Sequence, residues 1–332
     1  MIKLILFLFS VTHAFDERDC RTKKMETWVC NYMQEHGKNY STFSEFLLRK
    51  SRLNSVQLTE HFGLTSKSDI FPYELRSNNA FAYGHHKTLI RKTHQKHKHL
   101  EAVQKLPNMD LRSTGRVTPV KDQGDCGGCF AFAAATVLEY WTSKHNPKPL
   151  SPQNIMDCTS GSGRPDVGCD GGLMEYVFEY AKRHPIPYER DFGWSGQLKQ
   201  CPRKRLWTNV IVKDFRVLMI EDNSKAEQQF EHILHNYGPI SVGIDSSTMN
   251  NYRGGVFSSN MCTNDIDHAV TIVGYTSDAW IIKNSWGPKW GVNGYLYLER
   301  GKNACGIAEY AVYVKNAVPI RKKLSTNWHM DV

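Results

Sequence analysis

Acid and long apolar runs are what this sequence has least of. Lys and Arg number 42 against 33 Asp and Glu, a formal charge of +9 with a pI near 9.0. The shortage is local: residues 85–99, HHKTLIRKTHQKHKH, hold five His and five Lys or Arg without one acid. That composition reads as a solvated charged linker rather than a nucleic-acid face. So irregular a His tract is not read as a metal site. Past the first residues, no unbroken apolar run reaches membrane length, so no bilayer-spanning helix is expected. No internal repeat is visible, which sets aside solenoid arrays. Only one Cys-x-x-Cys occurs, at 126–129, so the second close pair of ligands that a zinc site wants is lacking.

What remains is an ordinary globular mixture, 40% hydrophobic and 23% charged over 332 residues, enough for one large or two modest domains. Residues 1–14 carry Lys3, a short apolar run and then Thr12-His13-Ala14. This reads as a secretory signal cleaved after Ala14, which sends the chain into the secretory pathway. Nine cysteines in an oxidising compartment read as a disulfide framework plus one leftover thiol.

The stretch that organises the chain is QGDCGGCFAF, residues 123–132. Gly124, Gly127 and Gly128 let the backbone turn sharply and approach a ligand closely. From Cys129 onward, Phe130, Ala133, Ala134, Val137, Leu138 and Trp141 recur at helical spacing in an alanine-rich run. Cys129 therefore falls at the N-terminus of a buried helix, where exposed N–H groups and partial positive charge lower a thiol pKa. A loop N–H and the Gln123 amide are candidate donors to a developing oxyanion. The same residues also spell a redox dithiol or half a zinc site. A redox dithiol would want a strand before it, whereas residues 116–124 read as loop.

A Cys nucleophile needs a His to hold it as an ion pair and a third group to orient that imidazole. Asp267-His268-Ala269-Val270 opens a strand-like run 139 residues after Cys129. Lys283-Asn284-Ser285-Trp286-Gly287 follows another, with Asn284 155 residues after Cys129. Type, order and spacing together resemble the papain-like cysteine peptidases. The usual pattern has Ser at Gly128, and Trp at Phe130 and Leu111.

The resemblance implies an α+β, two-lobe papain-like fold: a helical lobe near 116–212, a β-rich lobe near 213–315 and a cleft between them. Residues 15–105 resemble a prosegment followed by the basic linker, with processing near 104–106 and residues 106–332 as the mature part. Two amphipathic helices are expected between Arg21 and Leu64, with Ser41 or Ser44 ahead of Glu45 starting the second. Glu45 and Arg49 match the family's prosegment helix, and residues 63–69, GLTSKSD, resemble its Gly-to-Asp motif with Lys67 in place of an aromatic. Cys20 and Cys30 are a candidate pair there, and Asn39-Tyr40-Ser41 is a glycosylation sequon.

By the same resemblance Cys129 is the nucleophile, and His268 shares its proton and delivers it to the leaving amine. Asn284 orients the imidazole, Trp286 packs over the pair, and Gln123 serves the oxyanion. The implied disulfides are Cys126–Cys169, Cys158–Cys201 and Cys262–Cys305. Gly171 and Gly172 would pair with an extended substrate backbone. Met174, Gly243, Ile266 and Ala269 would line the pocket for the residue before the scissile one, with Tyr310 as its floor and Asp267 counted among the substrate-binding residues. Such a pocket is expected to be shallow and apolar, favouring Val, Leu or Pro over Arg, with Glu309 as the nearby carboxylate. The segment between Cys158 and Cys169 lacks the paired histidines of carboxydipeptidase-type relatives, which implies endopeptidase action.

The expectation is a secreted or lysosome-like zymogen, monomeric, without cofactor or metal. Its partners are protein or peptide substrates and its own prosegment, with no nucleic acid. Protonation of the five linker histidines is expected to extend the linker and assist its release near pH 6.5. Two alternatives use the same scaffold, a non-catalytic binding protein and a Cys-dependent acyl transferase.

Overall fold

The computed structural model describes residues 14–59, 61–70, 106–160, 166–202, 210–218 and 223–319. Most of the leader, the His-rich tract, residues 104 and 105 at the expected processing point and the tail past 319 lie outside the described residues.

Among the described residues the two helices expected between Arg21 and Leu64 are α2 (Thr27–His36) and α3 (Phe43–Asn54), and a further short helix, α1 (Glu17–Thr22), precedes them. Each boundary has a local cause. Asp16 and Asp19 form a reciprocal capping box that starts α1, and its last residue is followed by Lys23 and a turn. Gly37, at φ 64°, closes α2 in the left-handed region. Thr42, not Ser41 or Ser44, caps α3 by accepting the Glu45 N–H, while Ser41 donates to the Glu45 carboxylate. The Cys20–Cys30 disulfide ties α1 to α2. These helices close over their own small core of Phe15, Val29, Met33, Phe46 and Leu53.

After β1 (Met109–Asp110) come α4 (Cys129–Glu139), α5 (Pro152–Thr159) and α6 (Met174–Ala181). α4 is buried on almost every side, as a helix apolar all round must be. Then follow β2 (Val210–Leu218), α7 (Asn223–Tyr237), β3 (Ile240–Ile244), β4 (Val256–Phe257), β5 (His268–Tyr275), β6 (Ala279–Lys283), β7 (Tyr295–Glu299) and β8 (Ala311–Pro319). The strands make one sheet in the order β2-β8-β3-β5-β6-β7-β4, with β1 added on β5. All pairs are antiparallel except β4 with β7. The protein is α+β.

β2 runs straight through the lobe boundary expected near 212. Its Val210, Val212 and Val217, with Val312 and Val314 of β8, pack into the core built by α4, α5 and α6. A second core lies between α7 and the strands β3, β5, β6 and β7. The β2–β8 ribbon therefore belongs to the sheet by hydrogen bonding and to the helical core by its buried face. Cys126–Cys169 and Cys158–Cys201 staple the helical part, and Cys262–Cys305 the sheet part.

The N-terminal helices dock on the sheet side through backbone. Gly63 N–H donates to Asn251 C=O at 2.9 Å and Arg253 N–H to His61 C=O at 2.8 Å, making Phe62 and Tyr252 bridge partners. Thr65 Oγ1 donates to Asn250 C=O, and Asn250 Nδ2 to Ile70 C=O. The turn at 65–70 is fixed from behind, where Tyr32, Tyr40 and Lys38 all reach the Asp69 carboxylate.

Candidate active site

All nine cysteines lie among the described residues; eight are bridged and Cys129 alone keeps its thiol. Cys126 is bonded to Cys169, which removes the redox-dithiol alternative. Cys129 is the first residue of α4, entered through Gly128. The N–H groups of Ala269, Phe130 and Cys129 itself face its sulfur. Because Ala269 follows His268 at the head of β5, that contact brings thiol and imidazole into one neighbourhood.

The His268 ring is held from two directions. Its Nε2 lies 2.8 Å from Asn284 Oδ1. Ser285 N–H also donates to that oxygen at 2.7 Å, which marks it as the carbonyl oxygen of the amide. An acceptor there places the proton on Nε2, so in the neutral ring Nδ1 is the basic nitrogen. Nδ1 is buried and makes no hydrogen bond. Trp286 stacks over the ring, with centroids 4.9 Å apart and planes 28° apart.

Cys129 and His268 have no exposed surface in the full chain. Burial pushes the thiol up to about 12, against the pull of the three N–H groups. Burial pushes the imidazole down to about 4, with the Asn284 hydrogen bond opposing and the charge of Lys67 adding. The helix N-terminus favours thiolate, and burial in the full chain opposes it at both groups, raising the thiol and lowering the imidazole.

Gln123 is buried and pinned. Its Oε1 accepts from Ser285 Oγ at 2.5 Å, and its Nε2 donates to Cys126 C=O at 3.0 Å. Residues 121–123 pair antiparallel with 285–287: Gln123 N–H donates to Ser285 C=O, and Gly287 N–H to Lys121 C=O. This zipper sets Gln123 beside Asn284. Below it, Lys283 is buried with its Nζ 2.9 Å from Thr118 Oγ1 and 3.9 Å from Glu139, which also holds Lys121 at 2.8 Å. Burial pushes Lys283 down to about 8, with Glu139 opposing. Glu139 ends α4 and Lys283 precedes Asn284, so this charged cluster ties the helix of Cys129 to the strand of Asn284. None of Glu139, Lys283 or Ser285 is singled out by the sequence reading. A charged residue inside an alanine-rich helix was the available signal.

The expected substrate-binding residues are brought together in part. Met174, Ile266, Ala269 and Tyr310 share the core around Cys129. Gly243 is the register partner of Ala269, and its N–H donates to Tyr310 C=O. Trp286 belongs to the sheet-side core. Asp267 Oδ1 accepts from the Ser246 backbone and hydroxyl, which anchors the loop before His268. Tyr310 is fully buried, and its hydroxyl donates to Glu175 at 2.8 Å. Glu175 is thus a carboxylate at the floor of the expected pocket, one the sequence does not single out; it sits next to Met174 on the first turn of α6.

Two glycines take on packing reasons. A Cβ at Gly172 would stand 2.7 Å from the Phe130 ring and 2.8 Å from Asp166 Oδ1. A Cβ at Gly128 would stand 2.8 Å from the Trp194 ring. Trp194 donates to Gln123 C=O and packs edge-on against Phe132, so Gly128 is the residue that admits this indole behind the thiol. Gly171, at φ 113°, closes the single helical turn at 168–170 in a region that favours glycine.

A thiol at a helix start, an imidazole at a strand start and an amide that orients it, all on an α+β scaffold, define the class of cysteine hydrolases. The family model described as papain family cysteine protease matches residues 106–315. A probable cysteine protease RD19B of Arabidopsis thaliana is 32% identical over 306 residues, covering 86% of this chain and 82% of its own. Cathepsin 7 of Mus musculus is 38% identical over 222 residues, covering 62% of this chain and 65% of its own. Among solved structures, a digestive procathepsin L 3 of Tenebrio molitor superposes with a TM-score of 0.73 at 27% identity. It covers 86% of this chain and 97% of its own. The chain belongs to the papain family of cysteine peptidases.

Proposed function

We propose that the chain is the zymogen of a secreted or lysosome-like cysteine endopeptidase that cleaves peptide bonds through Cys129, His268 and Asn284. The observation that carries this reading is the Asn284-to-Nε2 contact at 2.8 Å beneath Trp286. It leaves Nδ1 as the base, on a residue whose neighbour Ala269 contacts Cys129.

In the reaction, Nδ1 takes the thiol proton as the sulfur attacks the scissile carbonyl. The N–H groups at the start of α4 and the Gln123 amide stabilise the oxyanion. The Nδ1 proton then passes to the leaving amine, and water, deprotonated by the same nitrogen, releases the acyl group from sulfur. Asn284 fixes the ring plane, and Trp286 shields the Asn–His contact from water.

Residues 15–105 are the prosegment and 106 onward the enzyme. The proform named for the procathepsin neighbour supports this division, since that chain is covered almost end to end. The specificity pocket is formed by Met174, Gly243, Ile266 and Ala269 over Tyr310.

Acid-treated protein titrated with a thiol-alkylating epoxide, then mass-mapped and assayed on peptide amides, tests the reading. Stoichiometric labelling of Cys129 with parallel loss of hydrolysis is expected. A correctly bridged chain freed of residues 15–105 that neither labels nor hydrolyses would reject it. Turnover that requires an added acyl acceptor would make the enzyme a transferase.

A further inference from the structure

Lys67 is where the family's prosegment motif carries an aromatic, and the structure gives the exchange a partner. The residue sits on the turn fixed by Asp69, and its side chain is only 8% exposed. Its Nζ lies 3.8 Å from Asp122 Oδ1. Asp122 is itself 51% exposed, adjoins Gln123, and is the bridge partner of Trp286, the ring that covers His268. A buried ammonium is tolerated only where a carboxylate offsets its desolvation, so the turn delivers a charge and not an apolar plug to this end of the cleft. The same charge bears on His268.

The carboxylate is also preorganised. Asp122 Oδ1 accepts the Gly124 N–H at 2.9 Å. Oδ2 lies so close to Gly287 that a Cβ there would stand 2.8 Å away. The partners in both contacts, Gly124 and Gly287, lie outside residues 15–105.

We propose that Asp122 is a cation-accepting subsite of the cleft, which takes a Lys or Arg side chain from the leaving-group side of the substrate and is filled by Lys67 in the zymogen. The side follows from the chemistry: His268 gives its proton to the leaving amine, so the amine half of the substrate lies over His268 and Trp286, next to Asp122. The inference rests on the catalytic reading above.

The test uses enzyme produced by acid processing of the full chain, with its active fraction fixed by epoxide titration of Cys129. Quenched peptides differ only in carrying Lys, Ala or Glu at the first two positions after the scissile bond. An ion pair with a half-exposed carboxylate favours the cation by up to about fivefold, and charge reversal adds repulsion, so kcat/KM should favour Lys over Glu roughly tenfold. Asp122→Asn keeps the acceptor for Gly124 and should bring that ratio to within about twofold of unity. Raising salt tenfold should shrink the wild-type ratio in the same direction, a readout that needs no variant. In the full-length chain, Lys67→Met should speed Cys129 alkylation several-fold. A wild-type Lys-to-Glu ratio that neither Asp122→Asn nor salt alters overturns the subsite, and an unchanged alkylation rate overturns its occupation by Lys67. Enzyme that cleaves no peptide and takes no label overturns the catalytic reading and this inference together.

Discussion

Acid should loosen the folded full chain through His268. In the folded chain its imidazole is pushed down to about 4 by burial, whereas in an unfolded chain it titrates near 6.5. A lowered folded value means that the contribution to stability is intact above about pH 6.5 and is lost as pH falls toward 4. The gap converts, at about 1.4 kcal/mol per pH unit, to about 3 kcal/mol. The group has no exposed surface, so no screening discount applies. The assay is urea unfolding of the full chain, followed by tryptophan fluorescence, at pH 7 and pH 4. A Cys129→Ala background prevents self-cleavage, and His268→Gln provides the comparison. Other groups that bind protons on acidification are common to both chains and cancel in the difference. The parent should lose about 3 kcal/mol more than the Gln variant on acidification. A double difference below about 0.5 kcal/mol would refute the argument that burial of this ring opposes its charge.

Three further outcomes follow from particular contacts. Asn284→Ala removes the acceptor for Nε2 and for the Ser285 N–H; kcat/KM on a peptide amide should fall roughly 10- to 100-fold, mostly in kcat, and a loss under threefold would count against the orienting role. Gly128→Ser, the family's usual residue, forces a Cβ against Trp194 and should cost about 1–3 kcal/mol; thermal unfolding of Gly128→Ser with Trp194→Leu should recover part of it, and strict additivity of the two would refute the clash. Tyr310→Phe withdraws a hydroxyl from the buried Glu175 and should lower stability by about 1–3 kcal/mol, with more of the loss restored by adding Glu175→Gln; equal stability of all three chains would contradict it.

The proposed catalytic residues were legible because the chemistry asked of them fixes residue type, order and spacing at once. The strands β3, β5, β6 and β7 are legible for a simpler reason: their segments are short, β-branched or aromatic and bounded by turn residues. The strands β2 and β8 were less so. Their pairing spans almost a hundred residues, and the face they bury belongs to the other core, which a local pattern cannot report. α5 carried a readable start, Ser151 followed by Pro152 at the first helical position. Its few apolar residues gave no clear period. The direction of the thiol's pKa was read from the helix end alone. The competing term, desolvation, depends on what covers the site, and that is a tertiary fact.

The departures from the family pattern take on meaning in pairs. Gly128 goes with Trp194, whose indole occupies the space a side chain at 128 would need. Lys67 goes with Asp122. In each pair one partner alone reads as drift away from a working enzyme, and both together read as a compensated change. The distinction matters for the rival reading of a decayed, non-catalytic scaffold. Decay removes constraint, so it predicts unmatched substitutions near the thiol, with voids. What surrounds Cys129 is close-packed: an indole behind it, a phenyl ring beside it and N–H groups facing its sulfur. That packing, with Gln123, His268 and Asn284 each held by a second contact to Ser285 or Trp286, supports the proposed catalytic reading over decay.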